Sequence, residues 1–217
     1  PMMLPYTIEV FFAAMGRYNA QYALLVALLA ALSLGALALA LRGTRAPRQD
    51  RAVGGVLAAG ALMSGWAHQL GVMAELNFMA SVYGAVWIAQ AALLAGALTV
   101  RPLLSFAGPN DPVRIAGLTI AALGLIGHPL ALLAHGVAPG SLPLAGSAPD
   151  ATAVLTAGLL AAARGPRWLR LALLLVPFAW AGVAAASAYL LAFPIDAALA
   201  TGVLVAVALT LLARRPS

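Results

Sequence analysis

The chain has 217 residues, of which 64% are hydrophobic and 8% charged, and its mean hydropathy of +0.99 excludes an ordinary soluble globular domain. Its net charge of +6 comes from twelve basic residues against six acidic ones. Because there is no lysine and no cysteine, a retinal Schiff base, disulfides and thiolate metal sites are excluded. The arginines lie in short loops between apolar runs, which indicates membrane orientation and no nucleic-acid binding.

The long apolar runs predict an all-α, polytopic transmembrane helix bundle that forms one membrane domain over residues 1–217. One helical crossing takes about 20 apolar residues, and a β-barrel would alternate apolar and polar residues, which these runs do not. The first predicted element is an interfacial amphipathic helix over residues 5–18. Phe11, Phe12, Met15 and Tyr18 gather on one of its faces, which favours a position on the outer leaflet.

About seven apolar segments follow this helix as predicted membrane spans. The fifth has only about 14 residues, which is short for a full crossing. The loop before it, residues 136–150, is rich in proline and carries no charge before Asp150. Either the bilayer thins there, or this loop enters the bundle as a re-entrant or capping element. The predicted spans are about 20–41, 52–71, 78–99, 113–135, 150–163, 168–191 and 196–213.

The arginines orient these spans. Eleven of the twelve fall on one side of a seven-span arrangement, and Arg17 alone falls on the other. The positive-inside rule makes the arginine-bearing side cytoplasmic, with the N-terminus outside and the C-terminus inside. A composition rich in alanine, leucine and arginine favours a bacterial cytoplasmic (inner) membrane. The eleven are Arg42, Arg45, Arg48, Arg51, Arg101, Arg114, Arg164, Arg167, Arg170, Arg214 and Arg215.

The polar side chains that remain gather towards the predicted outer end, and we predict that they line a ligand-binding pocket. Ionisable residues inside spans usually face the bundle interior or a cavity, and we expect His68 to point inwards, towards span four or the 136–150 loop. The two histidines of span four are seven residues apart, which favours one helical face. The candidate residues are His68, Glu75, Asn77, Gln90, His128, His135 and Asp150.

Structural roles compete with this interpretation. Asp150 and Asp196 open predicted spans, where a carboxylate caps a helix, and Asn77 can cap span three. Gln90, in the middle of span three, needs an interhelical hydrogen bond. Gly60, Ser64 and His68, and likewise Gly182 and Ala186, form stripes of small residues that favour helix packing.

The histidines also allow a metal site. Imidazole with carboxylate suits transition metals, so His68, His128 and His135 are the candidate ligands for a metal ion or for haem. His128 and His135 are about 10.5 Å apart along a helix, which is too far for both to bind one ion. No HExxH, GxSxG or Walker A motif is present, and no catalytic residue is predicted.

Three functions follow from these residues. The first is a permease or a membrane protein that binds a small solute or ion in a histidine-containing pocket open to the periplasm. The second is a membrane-embedded metal- or haem-binding protein or enzyme. The third is a structural or partner-binding subunit, because small-residue stripes also serve homo-oligomers. The expected partners are the lipid bilayer and a small solute or ion.

Several stretches of the chain resemble a family of bacterial integral membrane proteins, the domain-of-unknown-function 6064 family. The resemblance covers nearly the whole chain and implies a multi-pass membrane protein, often labelled a permease, without implying an activity. Two departures are His128, where the family has an aromatic residue, and Ala148–Thr152, where it has a cysteine-containing start. The matching stretches are RYNAQ (17–21), WAHQL (66–70), LNFMASVYGAVWIAQA (76–91), IGHP (126–129), PDATAVLTAGLLAAA (149–163) and FPID (193–196).

Overall fold

The computed structural model describes residues 6–43 and 46–212, and this part of the chain is all-α. Three arginines used for orientation, the first residue of the predicted interfacial helix and the last of the seventh span lie outside it. The helices are α1 (Ile8–Gln21), α2 (Ala23–Arg42), α3 (Pro47–Met63), α4 (Ala80–Leu94), α5 (Pro112–Ala122), α6 (His128–Ala134), α7 (Pro149–Ala162), α8 (Arg167–Leu190) and α9 (Ile195–Leu212).

Three π-helical segments extend or join these helices. Ser64–Leu70 continues α3, Ala95–Val100 continues α4, and Leu123–Gly127 joins α5 to α6. Two single 3-10 turns, Met73–Glu75 and Pro139–Ser141, lie in the connections. π-helical turns are rare, and they often occur near functional sites.

Within residues 6–43 and 46–212, five helical stretches are long and apolar enough to cross a membrane, so the protein is a multi-pass membrane protein whose apolar surface contacts lipid. The other two predicted spans correspond to α3 and α7. α3 carries Arg48, Asp50 and Arg51 in its first turns, and α7 has 14 residues. Seven spans therefore stay a prediction. The five are Ala23–Arg42, Ala80–Val100, Pro112–Ala134, Arg167–Leu190 and Ile195–Leu212.

The short helix α7 lies in the centre of the bundle. Every one of its residues except Asp150 is buried, and it packs against α5, α8 and α9. Its backbone touches that of α5: a Cβ placed on Gly117 would lie 2.7 Å from Ala162 N, and one on Gly158 would lie 2.6 Å from Gly117 O. Because α7 is surrounded by protein, its length does not have to match the thickness of the bilayer.

The loop before α7 enters the bundle. Leu142, Ala145, Ser147 and Ala148 are buried. Gly146 has a φ of +85°, and a Cβ there would lie 2.7 Å from Ser33 Oγ, well inside α2. Of the two explanations for the short fifth segment, the contacts support the loop that enters the bundle. Irregular backbone survives at such depth only when protein covers it.

Three arginine-bearing connections meet at one end of the bundle, which we call the arginine end. Ser105 and Arg164 exchange backbone hydrogen bonds of 2.9 and 2.7 Å. The buried Arg114 guanidinium donates to the carbonyls of Phe106 and Ala40. The α2–α3, α4–α5 and α7–α8 connections are thereby tied together. The opposite end carries Asp150 and Asp196 at the starts of α7 and α9, and we call it the acidic end.

Candidate functional site

A cavity of about 360 Å³ opens between helices at the acidic end. Segments distant in the chain enclose it: the start of α1, the π-helical end of α3, the α3–α4 turn, and parts of α4, α7, α8 and α9. Three of the predicted site residues line it, namely His68, Asn77 and Asp150. The other side chains that matter for its chemistry are Tyr6, Phe11, Tyr83, Trp180, Ser187 and Asp196.

His68 points into the bundle, as expected from its position. Its side chain is 2% exposed. Its Nε2 lies 3.2 Å from Met15 Sδ, and its ring packs edge-on against Tyr18, with the ring centroids 5.3 Å apart. Both partners belong to α1, whereas span four or the 136–150 loop was expected. The difference arises because α1 folds over the acidic end and covers His68 there.

Asp150 does not occupy the N-cap position of its helix, although it lies in the first turn of α7, where the helix dipole favours its charge. The N-cap position of α7 is Ala148, and no side chain caps the helix. Asp150 Oδ1 instead accepts a hydrogen bond of 2.8 Å from the indole N–H of Trp180 on α8. The Trp180 ring packs edge-on against Tyr83 and Trp87, with centroid distances of 5.4 and 5.8 Å. The carboxylate therefore fixes an aromatic wall of the cavity.

Asp196 supplies the second carboxylate. It lies in the first turn of α9, where the helix dipole favours a negative charge. Its Oδ1 is 3.9 Å from Nε2 of the buried His128, beyond hydrogen-bond distance. Neither ring nitrogen of His128 has a hydrogen-bond partner. Asp196 is therefore a second acidic group at the cavity, and the imidazole of His128 lies close to its carboxylate.

Tyr6, just ahead of α1, lines the same cavity, where the charges of Asp150 and Asp196 act on its hydroxyl group. Burial raises the pKa of Tyr6 above its ordinary value, and the negative charges of Asp150 and Asp196 raise it further. The hydroxyl therefore stays protonated at neutral pH and is available as a hydrogen-bond donor at the cavity.

Four predicted site residues have other surroundings. Glu75 is exposed in the turn Met73–Glu75. His135 is exposed beyond the last residue of α6, where its Nδ1 lies 2.9 Å from Ala131 O, so it does not share the environment of His128 as the seven-residue spacing favoured. Gln90 is buried and does not line the cavity. His128 is also buried and does not line the cavity, and its Nε2 lies 3.9 Å from Asp196 Oδ1.

One structural expectation is confirmed by a hydrogen bond: Gln90 Nε2 on α4 donates to Leu173 O on α8 at 2.8 Å, which is the interhelical bond expected of it. The capping role expected of Asn77 is not observed, because the N-cap position of α4 is Met79 and no side chain caps the helix. Asn77 Oδ1 instead accepts from Met79 N at 2.9 Å and so fixes the turn that leads into α4. Asn77 also lines the cavity, so one side chain shapes both the turn and the wall.

Gln90→Leu should change the stability of the purified protein only slightly. The variant loses the bond to Leu173 but also removes Oε1, which is buried without a hydrogen-bond partner. Interhelical hydrogen bonds in membranes contribute about 0.6 kcal/mol on average, so we expect a loss below about 1 kcal/mol. Thermal melting in detergent measures it. A protein that no longer folds would give Gln90 a larger role than this one bond.

The histidine metal site does not form in the described part of the chain. Across residues 6–43 and 46–212, no group of three or more histidine, aspartate and glutamate side chains could hold a metal ion. His68 contacts α1, His128 lies behind Asp196, and His135 is exposed. The metal alternative therefore has no group of three ligands among these residues, and the haem alternative, which needs only one or two axial histidines, stays a prediction.

The residues that sequence reasoning missed are mostly aromatic or small. Tyr6, Trp180 and Ser187 gave no local signal, because their proximity to Asp150 depends on how α1 and α8 pack. Gly182 was interpreted as a packing residue, but no atom lies within 4 Å of a Cβ built there, and it lines the cavity. Asp196 was noted only as a helix cap.

The sequence model of a family of unknown function, DUF6064, matches residues 8–217. The chain belongs to this family. No curated protein and no solved structure matches it. Membership agrees with a multi-pass membrane protein and assigns no activity, so the chemistry of the DUF6064 chain has to be argued from its own cavity.

The motifs that carried the DUF6064 resemblance meet around this cavity and the loop beside it. In RYNAQ, Tyr18 Oη donates to Ser147 O at 2.7 Å, and Asn19 Nδ2 donates to Gly140 O and Leu142 O, each at 2.9 Å. The segment that begins PDATAV supplies Asp150, and FPID supplies Asp196. The stretches that identify the family therefore hold the entering loop and supply the carboxylates.

Proposed function

We propose that the protein is a bacterial inner-membrane permease or solute-binding protein that takes a small molecule into the acidic-end cavity from the periplasmic side. One observation carries the proposal: an otherwise apolar bundle keeps a cavity of about 360 Å³ lined by two carboxylates, a histidine and several aromatic rings. Small-molecule sites have volumes of roughly 300–1,000 Å³, mostly apolar walls and a few convergent polar groups. A purely structural subunit has no need of such a chamber.

The proposed orientation has seven spans, with α3 and α7 as the second and fifth and the N-terminus outside. The arginine end then faces the cytoplasm, as the positive-inside rule requires. Exposed aromatic residues support this placement of α8. Trp168 and Tyr189 are 68% and 86% exposed near its two ends. They are 21 residues apart, which is about 31 Å of helix and close to the thickness of the hydrocarbon core. Aromatic side chains favour both interfaces.

A second cavity favours a permease over a static receptor. It has a volume of about 630 Å³ and lies at the arginine end, lined by the α2–α3, α4–α5 and α7–α8 connections and by Asp50 and Arg164. Buried side chains such as Trp87 and Leu94 fill the bundle between the two ends. A transport cycle would open a path through this packed layer, and the two cavities are its natural endpoints.

Single-cysteine labelling tests the proposal, because the natural chain contains no cysteine that would react. Ser187→Cys in the cavity should react with an impermeant maleimide added to intact cells. Ser105→Cys at the arginine end should react only after the membrane is permeabilised. Ser33→Cys, buried against the entering loop, is the matched control and should stay unreactive in both conditions.

The outcomes separate the parts of the proposal. Labelling of Ser105→Cys but not Ser187→Cys in intact cells would invert the orientation. A Ser187→Cys protein that stays unreactive even after permeabilisation would mean that the cavity is closed, and the solute-binding function would fail with it.

A further inference from the structure

Among the described residues, the side chains that line the acidic-end cavity include two carboxylates and no arginine. The carboxylates are those of Asp150 and Asp196. Trp180 satisfies one oxygen of Asp150 with a neutral N–H, and His128 stays 3.9 Å from Asp196. Charged groups withdrawn from water are costly unless an opposite charge accompanies them. The two carboxylates therefore favour a ligand that carries positive charge.

His68 adds an independent acceptor. Methionine sulfur carries no hydrogen, so in the 3.2 Å contact with Met15 the imidazole Nε2 is the donor. In the neutral ring, Nδ1 then has a free lone pair. This atom is buried and has no hydrogen-bond partner, and His68 lines the cavity. An unpartnered acceptor at a cavity that two carboxylates also line favours a ligand with a positive charge and a separate hydrogen-bond donor, such as a hydroxyl group.

The aromatic walls decide between a metal ion and an organic cation. Tyr83 and Trp180 meet edge-on at 5.4 Å, and Tyr6 and Phe11 line the cavity towards α1. Aromatic faces attract ammonium groups through cation–π interactions and do not coordinate metal ions. The described residues also contain no group of three metal-ligating side chains. The volume of about 360 Å³ has room for several carbon atoms beside the charge.

We propose that the acidic-end cavity binds a small organic ammonium ion, with the charged nitrogen between Asp150 and Asp196 and the alkyl groups against Tyr83 and Trp180. This assignment rests on the solute-binding function proposed above and names its ligand class. Gly182 makes room for the alkyl part, because no atom lies within 4 Å of a Cβ built at that position.

Titration calorimetry of the purified full chain tests the assignment with two probes of matched shape. Choline carries the quaternary ammonium charge and a hydroxyl donor, and 3,3-dimethylbutan-1-ol keeps the hydroxyl group and replaces the nitrogen by carbon. Choline should bind and raise the melting temperature, and the alcohol should bind at least about tenfold more weakly, because only choline is attracted to the carboxylates. Equal binding of the two probes would overturn the proposal.

Variants locate the binding. Asp150→Asn and Asp196→Asn should each weaken choline at least about tenfold, and the asparagine oxygen at 150 still accepts from Trp180, so folding is preserved. Gly182→Leu should abolish binding by filling the cavity. Glu75→Gln, an exposed acid outside the cavity, is the matched control and should bind like the natural protein. Unchanged binding by both aspartate variants would overturn the assignment.

The labelling experiment distinguishes failure of this assignment from failure of the proposed function. Choline should slow the reaction of Ser187→Cys with maleimide at least about fivefold at saturation, because both occupy one cavity. If Ser187→Cys reacts freely and choline gives no protection and no calorimetric signal, the cavity still admits solutes from outside, but its ligand is not an ammonium ion. If Ser187→Cys never reacts, the cavity does not admit solutes, and the proposed solute-binding function fails.

Discussion

Gly158→Leu should prevent the protein from folding into a stable bundle. Gly158 lies where α7 crosses α5, and a Cβ there would come within 2.6 Å of Gly117 O and 2.9 Å of Ala121 Cα. These are backbone atoms of a packed helix, so no rotamer change can relieve the clash. Overpacking a core costs about 1–3 kcal/mol even when side chains can move, and here we expect more than about 3 kcal/mol. The yield of monodisperse protein in detergent and its melting temperature measure the effect.

The same substitution at Gly182 is the matched control. Gly182 lies in the middle of α8 and a Cβ built there meets nothing within 4 Å, so Gly182→Leu should fold with a melting temperature close to that of the natural protein. Comparing the two variants separates the effect of replacing a helical glycine from the effect of the steric clash. Equal behaviour of the two variants would contradict the close crossing of α5 and α7, and with it the central position of α7.

The helices themselves could be predicted from the sequence, because hydropathy is a local property. Span three, expected at about 78–99, is Ala80–Val100, and span six, expected at about 168–191, is Arg167–Leu190. Apolar runs bounded by arginine, proline or a polar turn fix these limits whatever the helices pack against. The helix predicted over residues 5–18 is α1, which begins and ends about three residues later than expected, at Ile8–Gln21, since Thr7 provides its N-cap; its interfacial position stays a prediction.

The environment of the polar residues could not be predicted in the same way. His135 was placed with His128 by helical spacing, but α6 ends at Ala134 and leaves it exposed. Asp150 had the sequence position of a cap, and only the packing of α8 brings Trp180 to it. A π-helical segment also precedes His128, and its wider turn changes which face a residue occupies. These are properties of tertiary contacts and not of any window of sequence.

The cavity and the entering loop depend on each other through α1. Tyr6 and Phe11 line the cavity from the start of this helix, and Tyr18 and Asn19 near its end bind the loop. Met15 lies between them against His68. A ligand that draws Tyr6 inwards would therefore act on the same helix that holds the loop. Loosening the loop should in turn widen or distort the cavity.

Tyr18→Phe should destabilise the protein and free the loop. Tyr18 is fully buried, and its hydroxyl donates to the carbonyl of Ser147 at 2.7 Å. The variant leaves that buried carbonyl without this donor at a depth where water does not replace it, which costs about 1–3 kcal/mol. Asn19→Ala removes two further bonds to the loop, so the double variant should melt lower than either single one. Thermal melting in detergent measures the loss.

The control for this prediction is Tyr189→Phe, which removes the same hydroxyl from a side chain that is 86% exposed and should change stability by less than about 0.5 kcal/mol. A second readout follows the loop itself. Ser147→Cys is buried and should resist maleimide in the natural background, but should react when Tyr18→Phe is added. If Tyr18→Phe and Tyr189→Phe have the same melting temperature, and Ser147→Cys stays unreactive towards maleimide when Tyr18→Phe is added, then Tyr18 does not hold the loop. α1 would in that case be a separate interfacial helix whose contact with the cavity is incidental.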